Sequence, residues 1–104
     1  TDPNNAEARV TIGQVFSARA RFAEAVEQFR IAVAAQPNNA EARLALARNL
    51  YYARDVEGAV AQYREIIRRA PADTLPRLEL AQIFLDRNRF SDAETLFNEV
   101  LALR

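Results

Sequence analysis

The stretch Pro-Asn-Asn-Ala-Glu-Ala-Arg occurs twice, at residues 3 to 9 and again at 37 to 43. The interval is 34 residues, and the rest of the chain keeps it. Pro3, Pro37 and Pro71 share the step, as do Ala25, Ala59 and Ala93, and the aromatic series Phe29, Tyr63 and Phe97. Further series are Ile12, Leu46 and Leu80, then Phe16, Leu50 and Phe84, then Phe22, Val56 and Phe90. A fixed period of this length constrains the fold more than any local propensity. One period is a supersecondary unit too small to bury its own apolar face, and stacked neighbours bury it for one another. Three copies fill the 104 residues with little left over.

Within each period the apolar residues follow helical spacing twice. In the second copy Leu46, Leu50 and Ala53 share one helical face, and Ala59, Tyr63, Ile66 and Ile67 share another, at steps of three or four. That pattern predicts a helical hairpin. The segment 53–58 (ARDVEG) is expected to separate its helices, and Pro71 within 69–73 (RAPAD) to end the second one, since proline lacks a donor and restricts the residue before it. Asn39 and Asp73 are placed to cap the first helices of the second and third copies. Ser-Asp-Ala-Glu at 91–94 has the form of a capping box opening the last helix, and Pro76 suits a first turn, where no helical donor is lost.

Composition narrows the function. Half of the residues are apolar and 27% are charged, with two glycines and four prolines, as expected of a small globular, mostly helical chain. No uncharged apolar run approaches the roughly 18 residues of a membrane span, and no basic segment followed by an apolar run opens the chain. Fourteen positive residues, all arginine, balance fourteen negative ones, so the basic surplus of a nucleic-acid or anionic-membrane binder is missing. Abundant arginine and alanine without lysine fit a GC-rich, bacterial coding sequence. A start at Thr1 rather than methionine points to a piece of a longer protein.

Histidine and cysteine are both absent. The commonest general base, the thiolate nucleophile and the usual zinc ligands go with them, so no enzyme, metal or cofactor is expected. Glu24 and Glu27 sit one helical step apart on what reads as a solvated face, and Ser91 reads as a cap rather than a nucleophile. Without cysteine the redox compartment stays open, so either cytoplasm or periplasm fits.

These residues resemble the tetratricopeptide repeat family over essentially the whole chain. The family's leucine-glycine pair is matched by Ile12-Gly13, Leu46-Ala47 and Leu80-Ala81, its alanine by Ala25, Ala59 and Ala93, its later aromatic by Phe29, Tyr63 and Phe97, and its closing proline by Pro37 and Pro71. Arg9, Arg43 and Arg77 replace the opening tryptophan; Ile66 and Val100 replace a small residue kept as Ala32. Ala20, Arg54 and Asn88 stand where glycine is frequent, so a left-handed turn there costs about 1 kcal/mol at the first two.

The resemblance implies an all-α fold, an α-solenoid of three helix-turn-helix hairpins forming a right-handed superhelix. The array would be a single domain over 1–104, with repeats at 6–39, 40–73 and 74–104 and residues 1–5 as the tail of a preceding repeat or a linker. It also implies a scaffold that holds a protein or peptide partner in the groove lined by the first helix of each copy. The inward positions are Gln14 in the first copy, Leu44, Arg48, Tyr51 and Tyr52 in the second, and Leu78, Gln82 and Leu85 in the third. Glu7, Val10 and Glu41 belong to the same face. The lysine, asparagine and arginine clamp by which some members grip acidic chaperone tails is missing, because Val10, Gln14, Ala45, Leu75 and Glu79 occupy its positions.

A second reading keeps the fold and changes the role: a structural or self-assembly segment of a larger bacterial envelope export or assembly protein. Its motivation is Leu96, Val100 and Leu103, expected to form an exposed apolar stripe on the last helix that drives homo-oligomer formation.

Overall fold

The computed structural model describes residues 5–103. The described residues form six helices and no strand: α1 (Ala6–Ala18), α2 (Phe22–Ala35), α3 (Ala40–Tyr52), α4 (Val56–Arg69), α5 (Thr74–Asp86) and α6 (Phe90–Ala102). The first helices begin at 6, 40 and 74 and the second ones at 22, 56 and 90, so the 34-residue step of the sequence is also the step of the backbone. Packing divides the chain within α4 into two compact units, one ending at Gln62 and one beginning at Tyr63.

The corner inside each hairpin is a left-handed helix stop. Ala20, Arg54 and Asn88 have φ of 58°, 70° and 60°. The next residue donates back to the carbonyl five positions earlier: Arg21 to Phe16 (2.9 Å), Asp55 to Leu50 (2.8 Å) and Arg89 to Phe84 (2.7 Å). Ala20, Arg54 and Asn88 themselves donate to Ser17, Tyr51 and Leu85, which completes the Schellman pair of bonds. Two corners add a stacked cation, with the Arg21 guanidinium 5.3 Å from the Phe16 ring centroid and that of Arg89 4.4 Å from Phe84. The middle corner uses Asp55 instead, whose Oδ1 accepts from the Gly58 amide at 2.8 Å and caps α4.

That corner geometry overrides the capping box expected at 91–94. α6 opens at Phe90 with Arg89 as its N-cap and no side-chain cap bond, which leaves Ser91 inside the first turn. The stop requires its left-handed residue at position 88, and the next helix must begin two residues later. Arg89 pairs with Asp92 (2.9 Å), as Arg21 pairs with Glu24 (2.7 Å). The interruption between α3 and α4 is accordingly only 53–55, shorter than the expected 53–58. The other caps are as expected: Asn39 accepts from Ala42 (3.0 Å) and Asp73 from Leu75 (3.1 Å), and Pro76 lies buried in the first turn of α5.

In the first unit the buried cluster joins Ala6 and Val10 of α1, Ala25, Val26, Phe29 and Ala32 of α2, and Ala42, Leu46 and Leu50 of α3, with Ala59. Phe29 lies directly on Gly13, where a Cβ would come within 2.6 Å of the ring. The small residue of the leucine-glycine pair is thus a seat for an aromatic ring. In the second unit α5 packs on α6; Leu80, Ala81, Ile83 and Phe84 of α5 and Ala93, Leu96 and Val100 of α6 are buried.

Arginine at the tryptophan position works by hydrogen bonding. Arg9 donates to Gln28 Oε1 (2.9 Å), and Arg43, 9% exposed, donates to Gln62 Oε1 (3.0 Å) and the Pro37 carbonyl (3.1 Å). Arg77 donates to the Pro71 carbonyl (2.6 Å) and to Glu99 (3.0 Å). The guanidinium ties the first helix to the second, and in the last two copies to the preceding proline turn.

Candidate partner-binding surface

Each first helix buries one side and leaves a stripe at steps of three and four. On α3 the buried side is Ala42, Arg43, Leu46, Ala47, Asn49 and Leu50, which leaves Glu41, Leu44 and Arg48 as the outward row. The same positions are Glu7, Val10 and Gln14 on α1 and Leu75, Leu78 and Gln82 on α5. Leu44, Arg48 and Leu85 are half-buried, Gln14, Leu78 and Gln82 are exposed, and Val10 is buried.

In the first unit the rows of α1 and α3 adjoin. Gln14 Nε2 reaches Glu41 Oε1 at 3.5 Å, at the limit of a hydrogen bond. Beside that contact lies a cavity of about 320 Å³ lined by Glu7, Val10, Thr11, Gln14, Gln36, Asn39 and Glu41. Its wall carries two carboxylates and three amides over one apolar residue. Thr11, Gln36 and Asn39 were not among the sequence-derived positions. Gln36 comes from the turn after α2, and a frame built on first helices alone passes over it. Asn39 reads in sequence as a cap; its Oδ1 does cap α3, while its Nδ2 donates to Gln36 Oε1 (3.1 Å) and ties the two cavity residues together.

Two predicted groove residues serve packing. Tyr51 lies against the buried cluster alongside Phe16, Val33 and Ala45. Tyr52 turns toward α2, its ring centroid 5.1 Å from that of Phe22. Adjacent positions on a helix are about 100° apart, and these two rings accordingly have different packing partners. In the second unit Leu78, Gln82 and Leu85 share one side of α5, and Gln82 Nε2 donates to Asp86 at 3.1 Å. Glu79, next on the helix, accepts from the Tyr63 hydroxyl at 2.7 Å.

The predicted exposed stripe on α6 requires correction. Leu96 and Val100 are 4% and 8% exposed, because they face α5. Leu103 is exposed, and the other large apolar groups open to solvent on this helix are Phe90 and Leu101. Ile12 departs in the opposite sense: it is open to solvent, whereas its periodic equivalents Leu46 and Leu80 are buried.

The strongly perturbed carboxyl lies off the first-helix rows. Hydrogen bonds from Arg68 and then Arg69 hold Glu65 on α4 down at about 2, at distances of 2.6 Å. This is a one-turn ion pair within a helix, and its partners account for the shift without any catalytic role. Among the described residues no group of carboxylate, histidine or cysteine side chains is placed to hold a metal ion. No described helix is long and apolar enough to cross a membrane.

A family model described as tetratricopeptide repeat matches residues 10–74 and again 44–104. No curated protein matches the sequence. Among solved structures, MamA 41-end from Desulfovibrio magneticus RS-1 is similar with a TM-score of 0.88 at 20% identity, over 97% of this chain and 57% of that one. A crystal structure of MamA gives 0.85 at 16% identity, over 99% and 60%. A chain of a CopN-Scc3 complex gives 0.86 at 16% identity, over 98% and 60%. The chain thus spans under two thirds of each of these solved chains, and at these identities the likeness is one of fold. Together, the two overlapping model matches and the 34-residue helix steps show that the chain belongs to the tetratricopeptide repeat family.

Proposed function

We propose that this chain is a protein-interaction scaffold whose first-helix surface receives an extended peptide or partner helix. Folds of this family generally mediate protein-protein interaction, and a similarly folded chain occurs in a CopN-Scc3 complex. The observation that carries the proposal is the cavity between α1 and α3, where Glu7, Glu41, Gln14, Gln36 and Asn39 converge over Val10. The carboxylates of Glu7 and Glu41 accept hydrogen bonds, so the surface suits an arginine or lysine side chain of the partner. Leu44 offers apolar contact beside it and Arg48 a donor for a backbone carbonyl or carboxylate, while Leu78, Leu85 and Gln82 supply the same mixture on α5. Tyr51 and Tyr52 support this surface from the packing side.

The test is selection of binding peptides from a random displayed library, followed by amide shift mapping. Expected are peptides that pair a basic residue with apolar ones, shifts concentrated on α1, α3 and α5, and affinity at least tenfold weaker for Glu7→Gln combined with Glu41→Gln. Peptides that shift only α2 and α6, and bind the double variant unchanged, would sink the proposal.

A further inference from the structure

Glu7 and Glu41 hold the same position in successive copies, each in the first turn of its helix, and both line the cavity between α1 and α3. Neither is matched by a cation of its own helix. Glu24, Glu65 and Asp92 are matched within a turn, by Arg21, by Arg68 and Arg69, and by Arg89. The positions three and four residues on that would do the same for the cavity pair hold Val10 and Thr11 on α1, and Leu44 and Ala45 on α3. The nearest arginines, Arg9 and Arg43, reach instead to the second helices and donate to Gln28 and Gln62. The lining therefore brings together two carboxylates and no basic side chain.

The wall is tied in place by its own bonds. Asn39 is held at both ends, its Oδ1 accepting from the Ala42 amide (3.0 Å) and its Nδ2 donating to Gln36 Oε1 (3.1 Å), while the Thr11 hydroxyl donates to the Glu7 carbonyl (3.0 Å). The acidic pair is also not periodic. The positions 34 residues on from Gln14, Gln36 and Glu41 are Arg48, Ala70 and Leu75, so the pair marks one place along the first-helix surface.

A cation seated there must serve carboxylates on two different helices. An ammonium is a compact, strongly hydrated point charge, whereas a guanidinium is flat, more weakly hydrated and carries five N–H donors in a fork, so each of two edges can take one carboxylate. Its methylene stem would cover Val10, the buried apolar residue of the lining. At about 320 Å³ the cavity is at the small end of ligand pockets, sized for one side chain.

We propose that this cavity is an arginine-reading pocket, in which the guanidinium of one arginine of a protein partner bridges Glu7 and Glu41 and lysine is discriminated against. The inference rests on the partner-binding reading and narrows it, because the pocket sets where along the scaffold the partner's chain is anchored.

The probe is Nα-acetyl-arginine amide, titrated into the 104-residue chain and followed by NMR through the side-chain amides of Gln14, Gln36 and Asn39. The lysine and citrulline amides are the comparisons, citrulline keeping the shape of arginine without its charge. Arginine amide is expected to shift those side chains and to bind at least tenfold more tightly than either of the others. Glu7→Gln and Glu41→Gln, each alone, should weaken it at least fivefold, since a bridge loses one end. Both positions are exposed, so the variants should fold, and helical circular dichroism checks that they do. Lysine or citrulline amide that binds as tightly overturns the proposal. So does a single variant that binds arginine like the parent, or arginine amide that shifts none of these side chains up to its solubility limit. Library-selected peptides that still shift α1, α3 and α5 in those cases would leave the scaffold reading standing, so the two fail separately.

Discussion

Replacing Gly13 by alanine sets two physical effects of opposite sign against each other. Alanine favours the helix by about 1 kcal/mol over glycine. The added methyl, however, would stand 2.6, 2.8 and 2.9 Å from three carbons of the Phe29 ring. Carbon atoms prefer about 3.5 to 4.0 Å, so the ring or the helix must retreat by roughly 1 Å. Phe29 is 1% exposed and has no solvent to retreat into. Overpacking of this kind costs about 1 to 3 kcal/mol, so the net expectation for Gly13→Ala is a loss of about 1 kcal/mol. Urea unfolding followed by circular dichroism would register it as a midpoint lowered by roughly 0.5 M. The decisive comparison is a double-mutant cycle with Phe29→Leu. Once the ring is gone the methyl has room, and Gly13→Ala should become stabilising by up to about 1 kcal/mol in that background, a coupling of about 1 to 3 kcal/mol. If alanine raises stability equally in both backgrounds, the ring does not sit on residue 13, and the close approach of α1 and α2 is wrong.

Asn49 is buried with Nδ2 bonded to the Ala45 carbonyl (2.9 Å) while its Oδ1 has no hydrogen-bond partner among the described residues. The similarly branched Asn49→Leu should therefore raise the urea midpoint by the equivalent of about 1 to 2 kcal/mol, and a loss of stability would show that the oxygen is satisfied. Ala20→Gly relieves a left-handed alanine at φ 58° and should stabilise by up to about 1 kcal/mol, whereas a destabilised variant would argue against that conformation. For Glu65, the folded pKa of about 2 lies below the ordinary value of 4.5, so the unfolded chain takes up the proton first as pH falls. The contribution is complete above pH 4.5 and disappears down through 2. The stability advantage of the parent over Glu65→Gln should shrink across that window, and a carboxyl NMR titration with its midpoint near 4 would refute the assignment.

Much of this fold is written in the period itself. A 34-residue step that carries apolar residues at helical spacing can be satisfied by one helical hairpin per copy, and the helix starts at 6, 40 and 74 follow it. Asn39 and Asp73 were readable as caps because capping depends on an oxygen two or three residues from an orphan amide, a purely local requirement. The left-handed corners at 20, 54 and 88 were readable because the repeat frame placed them where glycine would otherwise stand. The box at 91–94 shows the limit of local reading, since a valid motif lost to a corner whose geometry is set two residues earlier.

Burial was not determined in this way. Ile12, Leu46 and Leu80 are equivalent in sequence, yet the first is exposed and the other two are buried. A helix's own pattern says which side is apolar; whether another helix covers that side is a property of the neighbour. The same holds for Leu96 and Val100, which α5 covers, and for Tyr51 and Tyr52, adjacent in sequence but committed to different packing partners. The candidate site divides along the same line. Its first-helix rows come from periodicity alone, while the contributions of Gln36 and Asn39 depend on how the turn after α2 folds back beside α1 and α3. Periodicity is fixed by bonds along the chain, and exposure by contacts across it.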